Sequence, residues 1–428
     1  MSMIQEKEYK SRRERLLKQL SKNSVAVLFA SEMKIRSNDT EYPFRQNSNF
    51  YYMSGFTEDN SALMFIKKNK KTKTILFVEK KDEALELWHG KRVGEVEAKK
   101  RFLVDEVYSI EKFSQILKIH LQNANNLYYD FNLQYNKVKT LKRYSKNIAI
   151  YKNIALLVQK MRLIKTKSEV QLIQKAIAIT QEAHHKAMKL RKKGMYEYEL
   201  QAEFEYIFTK NGAYSDAYTS IVAGGNNANT LHYVSNDKLL KKGELILIDA
   251  GCEYKYYASD ITRTIPVNGK FSSPQKKLYN MVLGVQLKII SMIKPGVKRS
   301  ELHKESEKLL CEGMIKLGIL QGKCTKLLKK QKHKKYYPHG IGHWMGIDVH
   351  DEAPYKDENA QELALKKGMV LTIEPGIYID ENDTSVPKKY RGIGIRIEDD
   401  ILVTSKGCKN MSKGIAKTID AIEALYQS

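Results

Sequence analysis

Cysteine is scarce here: the chain carries four among 428 residues, Cys252, Cys311, Cys324 and Cys408. They are scattered and form no Cys-x-x-Cys pair, which excludes a disulfide framework and points to a reducing, cytoplasmic setting. Long apolar runs are missing as well. None approaches the roughly 20 residues that a membrane-crossing helix needs, so no membrane partner is expected. The first twenty residues lack the apolar centre of a secretory signal, and Glu6, Glu8 and Glu14 speak against a transit peptide. There is no short tandem repeat and no low-complexity tract.

What the chain has in excess is positive charge, 74 Lys and Arg against 49 Asp and Glu, a formal +25. A nucleic-acid partner would be the first thought. However, the lysines run along the whole chain, no stripe of arginine and aromatic residues accompanies them, and the densest cluster, 329–335, is short. A solvated surface explains them better, so specific nucleic-acid binding is not expected.

The length favours two domains, set here at 1–160 and 161–428. In the first, a charged helix over 8–20 leads to apolar strands at 25–30, 62–66 and 74–78, and a helix starting near Asp82 carries Trp88. Strands alternating with helices imply a smaller mixed α/β domain with a partly parallel sheet. In the second, Ser168 with Gln171 has capping-box spacing. Behind it Ile173, Ala176, Ile177, Thr180, Ala183 and Ala187 recur at helical spacing, a helix expected to run to Gly194. A second helix should stop at Gly212, and Ser273-Pro274 and Ser300 should open two more. Strand signals lie at 245–248, 261–266, 369–373 and 394–403. Helices framing an antiparallel sheet make this an α+β domain.

Five residues of ligand type sit at strand ends or in glycine-rich segments of that second domain. Leu245-Ile-Leu-Ile-Asp249 runs apolar into a carboxylate, and Asp260 restarts a strand eleven positions on. A hairpin symmetric about Tyr254-Lys255 would set Asp249 opposite Asp260, with Cβ atoms about 5 Å apart. Carboxylates that close repel unless a cation lies between them. Glu374 ends an apolar strand where Pro375-Gly376 stops the ladder. In Gly392-Ile-Gly-Ile-Arg396-Ile-Glu398, strand alternation puts Arg396 and Glu398 on one face, pointing into a protected cleft. His339-Gly-Ile-Gly-His343 has helical zinc spacing, but its glycines favour an extended loop. With His350, three histidines fall within twelve positions. Four carboxylates and one imidazole form a hard, oxygen-rich donor set that suits Mn(II), or Co(II) and Fe(II), better than zinc. Four anionic ligands balance two divalent ions.

The set Asp249, Asp260, His343, Glu374, Glu398 resembles the pita-bread metallopeptidases: methionine aminopeptidase, prolidase and aminopeptidase P. The likeness covers 161 to the C-terminus. Within that family, Glu41-Tyr-Pro-Phe-Arg-Gln-Asn-Ser-Asn-Phe-Tyr-Tyr-Met-Ser-Gly-Phe, Glu86-Leu-Trp88-His-Gly-Lys-Arg, Tyr218-Thr-Ser-Ile-Val, Leu231-His232-Tyr233 and the stretch His339 to Asp351 are similar to a bacterial-type Xaa-Pro aminopeptidase. The lysine-rich approach to His339 departs from the pattern. The resemblance implies a C-terminal pita-bread catalytic domain holding two divalent ions per subunit, with Mn(II) preferred. Asp260 and Glu398 would touch both ions, Asp249 one, and His343 and Glu374 the other. A hydroxide shared by the ions would attack the peptide carbonyl, and Glu374 would shuttle its proton to the leaving proline nitrogen. His232 and His350 would orient the carbonyl and stabilise the tetrahedral intermediate. His339 and Arg396 would shape the proline pocket. Asp39 and Trp88 match positions that oligomers of the family contribute to a substrate entrance. The expected partners are peptides with proline second and further copies of the chain, as a dimer or tetramer. Rival readings are prolidase and a metal-free binding protein on the same fold.

Overall fold

A computed structural model describes residues 4–190 and 192–427. It divides into two compact units, one up to Arg162 and one from Leu163 onward. The first unit is a six-stranded sheet in the order Glu106–Ser109, Lys71–Val78, Ala62–Lys68, Ser24–Phe29, Asn126–Tyr129, Ile150–Asn153. Its centre is antiparallel and its flanks parallel. The central strands Ala62–Lys68 and Ser24–Phe29 read as continuous apolar runs because both of their faces are covered. Helix Glu83–His89 is capped by the Asp82 carboxylate, which accepts from the main-chain N–H groups of Ala84 and Leu85, and it presents Trp88 to solvent.

The second unit packs four long helices around small antiparallel sheets. Helix Lys167–Lys189 buries Ile173, Ala176, Ile177, Thr180, Ala183 and Ala187 on one face. Its cap is Thr166, in a box with Glu169, two residues earlier than Ser168; the Thr166 hydroxyl reaches the Glu169 N–H and the Glu169 carboxylate reaches back. The helix ends at Lys189, and Gly194, with φ at +82°, serves the following turn instead. Helix Glu197–Lys210 stops two residues before Gly212. Helix Ser273–Met292 is capped by Ser272, and helix Arg299–Lys316 starts one residue before Ser300.

Strands Ile221–Gly224, Leu245–Ala250 and Ile261–Pro266 form one sheet. Strands Val370–Ile373, Asp399–Val403 and Cys408–Asn410 form another, and Gly376–Ile379 pairs with Ile393–Arg396. The expected hairpin register is wrong by two. Lys255 and Tyr256 both have positive φ, the backbone of a two-residue turn matched to strand twist. Tyr254 therefore pairs with Tyr257, and Asp249 faces Thr262 rather than Asp260. Because strand periodicity is two, Thr262 and Asp260 still share a face, so the correction moves Asp260 along the strand and leaves it beside Asp249. The expected strand over 394–403 is likewise two strands, broken at 397 and 398.

Candidate metal centre

The ends of these strands converge on one cavity of about 730 Å³. Its wall carries Asp249, Asp260, His343, Glu374 and Glu398 together with His232, His339, His350 and Arg396. Asp39 and Trp88 belong to the N-terminal unit. Asp39 is exposed in the turn joining Ile35–Ser37 to Thr40–Glu41, and Trp88 is 81% exposed; the cavity wall is built from the C-terminal unit.

Ligand atoms of Asp249, Asp260 and Glu398 lie within 4.8 Å of one another, and so do those of His343, Glu374 and Glu398. A third such group joins Asp260 to His343 and His350. The imidazoles of His343 and His350 are 3.9 Å apart between ring centres. His343 Nδ1 lies 3.0 Å from the Trp344 carbonyl, so Nδ1 donates there and Nε2 is aimed at Asp260 Oδ2, 3.2 Å away, and Glu374 Oε1, 3.7 Å away. That tautomer, fixed by a main-chain carbonyl, is the arrangement of a metal-ligating histidine.

Arg396 organises the opposite wall. Its Nη2 donates to Asp249 Oδ2 at 2.7 Å, its Nη1 to the Tyr378 hydroxyl at 2.8 Å, and its Nε to Thr262 Oγ1 at 3.1 Å. The Thr262 hydroxyl in turn donates to Glu398 Oε2 at 2.8 Å. His339 donates from Nδ1 to the Gly340 carbonyl, which leaves Nε2 to accept from Tyr378 at 2.8 Å. Burial, with Arg396 nearby, pushes the His339 pKa down to about 3, so the ring is neutral and the direction of that bond is set.

The donor set fits cations on electrostatic grounds. Burial pushes Glu398 well above the usual carboxylate range, and Asp260, Glu374 and Asp249 push it further. Glu374 is driven up to about 7, again by burial first, with Asp260 and Asp249 adding to it against His343 and Arg396. Burial opposes a charge on His343, yet the Asp260 carboxylate overrides it and lifts that pKa to about 9. Two like charges about 4 Å apart repel by about 4 kcal/mol at an effective dielectric of 20. A buried carboxylate cluster of this kind is stable with its charges only when counter-cations sit among them.

Several residues escaped the sequence reading. The Tyr218 hydroxyl lies 2.6 Å from both Asp249 Oδ1 and Asp260 Oδ1; in the sequence it stood only inside a motif. Thr262 and Tyr378 are further omissions, although alternation from Asp260 would have found Thr262. Asp400 accepts from the Asp260 main-chain N–H at 3.2 Å, and its Oδ1 is buried without a partner; a carboxylate doublet inside an apolar strand was the available signal. Close backbone approach shapes the site as well. A Cβ on Gly342 would lie 1.9 Å from the Thr372 carbonyl oxygen, and one on Gly251 1.8 Å from that of Ser259.

Residues 171–405 match metallopeptidase family M24, and residues 9–128 match the aminopeptidase P N-terminal domain. The chain is 41% identical over 425 residues to a Xaa-Pro aminopeptidase of Haemophilus influenzae, a match spanning 99% of this chain and 98% of the relative. It is 38% identical over 438 residues to the Xaa-Pro aminopeptidase of Escherichia coli, spanning 99% and 98%. Among solved structures it resembles proline aminopeptidase P II from Yersinia pestis with a TM-score of 0.95 at 37% identity, covering 99% of this chain and 100% of that one. It resembles a zinc-substituted Escherichia coli aminopeptidase P in complex with product equally well, at 0.95 and 37%, covering 100% and 99%.

Proposed function

The chain belongs to the Xaa-Pro aminopeptidases of metallopeptidase family M24, with an aminopeptidase P N-terminal domain ahead of a pita-bread catalytic domain, and from that premise we propose that its centre is dinuclear and hydrolyses the bond before a proline in second position. The observation that carries this reading is the overlap of the ligand groups. Asp249, Asp260 and Glu398 form one, His343, Glu374 and Glu398 another, and Glu398 belongs to both. Asp260 also reaches toward His343, which suits it to a shared position. Asp249 would then hold one cation, and His343 and Glu374 the other. All but one of these donors are carboxylates, which favours Mn(II).

Two such ions would acidify a water and polarise the scissile carbonyl. The chain's own groups do the rest. Glu374 holds a proton and delivers it to the proline nitrogen as that bond breaks. His350, packed on His343, and His232, on the same wall, donate to the carbonyl oxygen as it gains charge. Neutral His339, held by Tyr378, offers a ring face to proline, while Arg396 keeps Asp249 and Tyr378 in place. We further assign Asp39 and Trp88 to an entrance completed by another copy in a dimer or tetramer; an indole left 81% exposed suits that use.

The test is turnover of Xaa-Pro-Yaa and Xaa-Ala-Yaa peptides after chelation and re-addition of single metals. Turnover confined to the proline peptide, abolished by chelator and best restored by Mn(II), is the expected result. Comparable turnover of the alanine peptide sinks the specificity, and full activity in excess chelator sinks the mechanism. An Xaa-Pro dipeptide as the sole substrate would point to prolidase instead. Light scattering on the intact protein reads the oligomer, and a monomer would remove the role given to Asp39 and Trp88.

A further inference from the structure

Among the described residues, arginine lines the cavity at two positions, 396 and 299, and lysine at none. Arg396 is spent on Asp249. Arg299, at the start of helix Arg299–Lys316, makes no ion pair among the described residues, although the Glu362 carboxylate feels its charge. Its Nη1 donates to the Gly342 carbonyl at 2.7 Å, and its guanidinium lies 4.4 Å from the centre of the Tyr355 ring. Tyr355 in turn stacks on buried Trp344 at 5.5 Å and 17°. The guanidinium is therefore held in one orientation before any ligand arrives, and the rotamer entropy of binding is already lost. Its Nε is buried without a partner, and no described residue accepts from its Nη2. The nearby carboxylate of Glu362 already accepts from the main-chain N–H and hydroxyl of Ser300. A fixed guanidinium on a cavity wall, with Nη1 on a main-chain carbonyl and no carboxylate bonded to it among the described residues, offers its charge and its Nη2 to a carboxylate.

Its place says which carboxylate. Arg299 bonds the same loop that carries His339, the residue assigned above to the proline ring, and lines the same cavity. We propose that Arg299 anchors a carboxylate just downstream of the substrate's proline. The group is either the C-terminal carboxylate of a tripeptide or an acidic side chain at the third residue. The proposal rests on the Xaa-Pro reading and narrows it to short or acidic peptides.

The experiment compares kcat/KM for Ala-Pro-Ala, Ala-Pro-Ala-amide and Ala-Pro-Asp-amide on the Mn(II)-loaded full chain, for wild type, Arg299→Lys and Arg299→Met. A charge-assisted bond predicts that wild type prefers the free acid over the neutral amide by roughly ten-fold or more, expressed in KM. The ratio should collapse toward one in Arg299→Met and hold in part in Arg299→Lys. Because the readout is a ratio within each protein, a general loss of activity from disturbing the Gly342 contact does not imitate it. The Ala-Pro-Asp-amide arm tells a terminal carboxylate from a side-chain one, and preference for either acid supports the anchor. Equal turnover of acids and amide in wild type, or an unchanged ratio in Arg299→Met, overturns the anchor while leaving the Xaa-Pro activity standing. Failure to cleave any of the three peptides overturns that activity and the anchor with it.

Discussion

Glu398 and Asp249 differ in how many ligand groups they join, and that difference is measurable. Glu398 stands in two of the groups, and Asp249 in one. In the dinuclear centre proposed above, removing a shared anion would expose both cations to each other, whereas removing a terminal ligand would weaken mainly its own cation. Glu398→Ala should bring bound metal toward zero, and Asp249→Ala should keep about one ion per chain by the same ligand count. Elemental analysis on protein shown folded by circular dichroism reads this; a metal-free Asp249→Ala beside a fully loaded Glu398→Ala would reverse the assignment. Away from the centre, Asp216 is a second residue with a legible signature. Burial, with Glu205 adding to it, pushes its pKa up to about 6. A carboxyl that holds its proton more tightly when folded contributes stability below its unfolded pKa of about 3.8 and loses it as pH rises through 6. Asp216→Asn should therefore match wild type near pH 4, gain on it between pH 4 and 6, and keep a constant lead above; a lead that does not change with pH in thermal unfolding would rule this out.

Among elements, the loop from Trp344 to Asp351 carries His350, and a buried ion pair ties it down. Lys165 Nζ lies 2.9 Å from Asp351 Oδ2, each side chain 1% exposed, and the Asp351 N–H donates to the Trp344 carbonyl. Asp351→Asn would leave the Lys165 charge buried and unpaired, at a cost of about 3–5 kcal/mol. Urea unfolding should show that loss, and Lys165→Met combined with Asp351→Leu should recover much of it; an undiminished midpoint in the single variant would deny the pair its role. This pair also shows where sequence reading stops. Asp249, Glu374 and Glu398 could be seen because an apolar strand ending in a carboxylate is a local pattern. Lys165 and Asp351 lie far apart in the chain, and nothing local joins them. The Asp249–Asp260 register failed for a related reason. It depended on a turn at Lys255-Tyr256 whose positive φ values lack the usual asparagine and glycine. Helix faces were read well, while their caps slipped by one or two residues because Thr166 and Ser168, or Ser272 and Ser273, are chemically equal candidates.

For the whole molecule, the carboxylate cluster would make bound metal a structural component as well as the catalytic one proposed above. With the ions stripped, Asp249, Asp260, Glu374 and Glu398 face one another across a buried cavity. Ligands that bind only the folded state add about 2.7 kcal/mol at a hundred-fold excess over Kd. Chelation should lower the melting temperature of the catalytic unit and Mn(II) should restore it in a concentration-dependent way, read by calorimetry; equal melting with and without chelator would show that the cluster tolerates its own charge. The cluster's donors are also spread along the chain, from Asp249 on one sheet to Glu398 at a strand break near the C-terminus. On a ribosome adding roughly 5–20 residues per second, the aspartates emerge on the order of ten seconds before the glutamate that the proposed centre has them share ions with. In the proposed centre the nascent chain therefore has no complete cradle until residue 398 has been made.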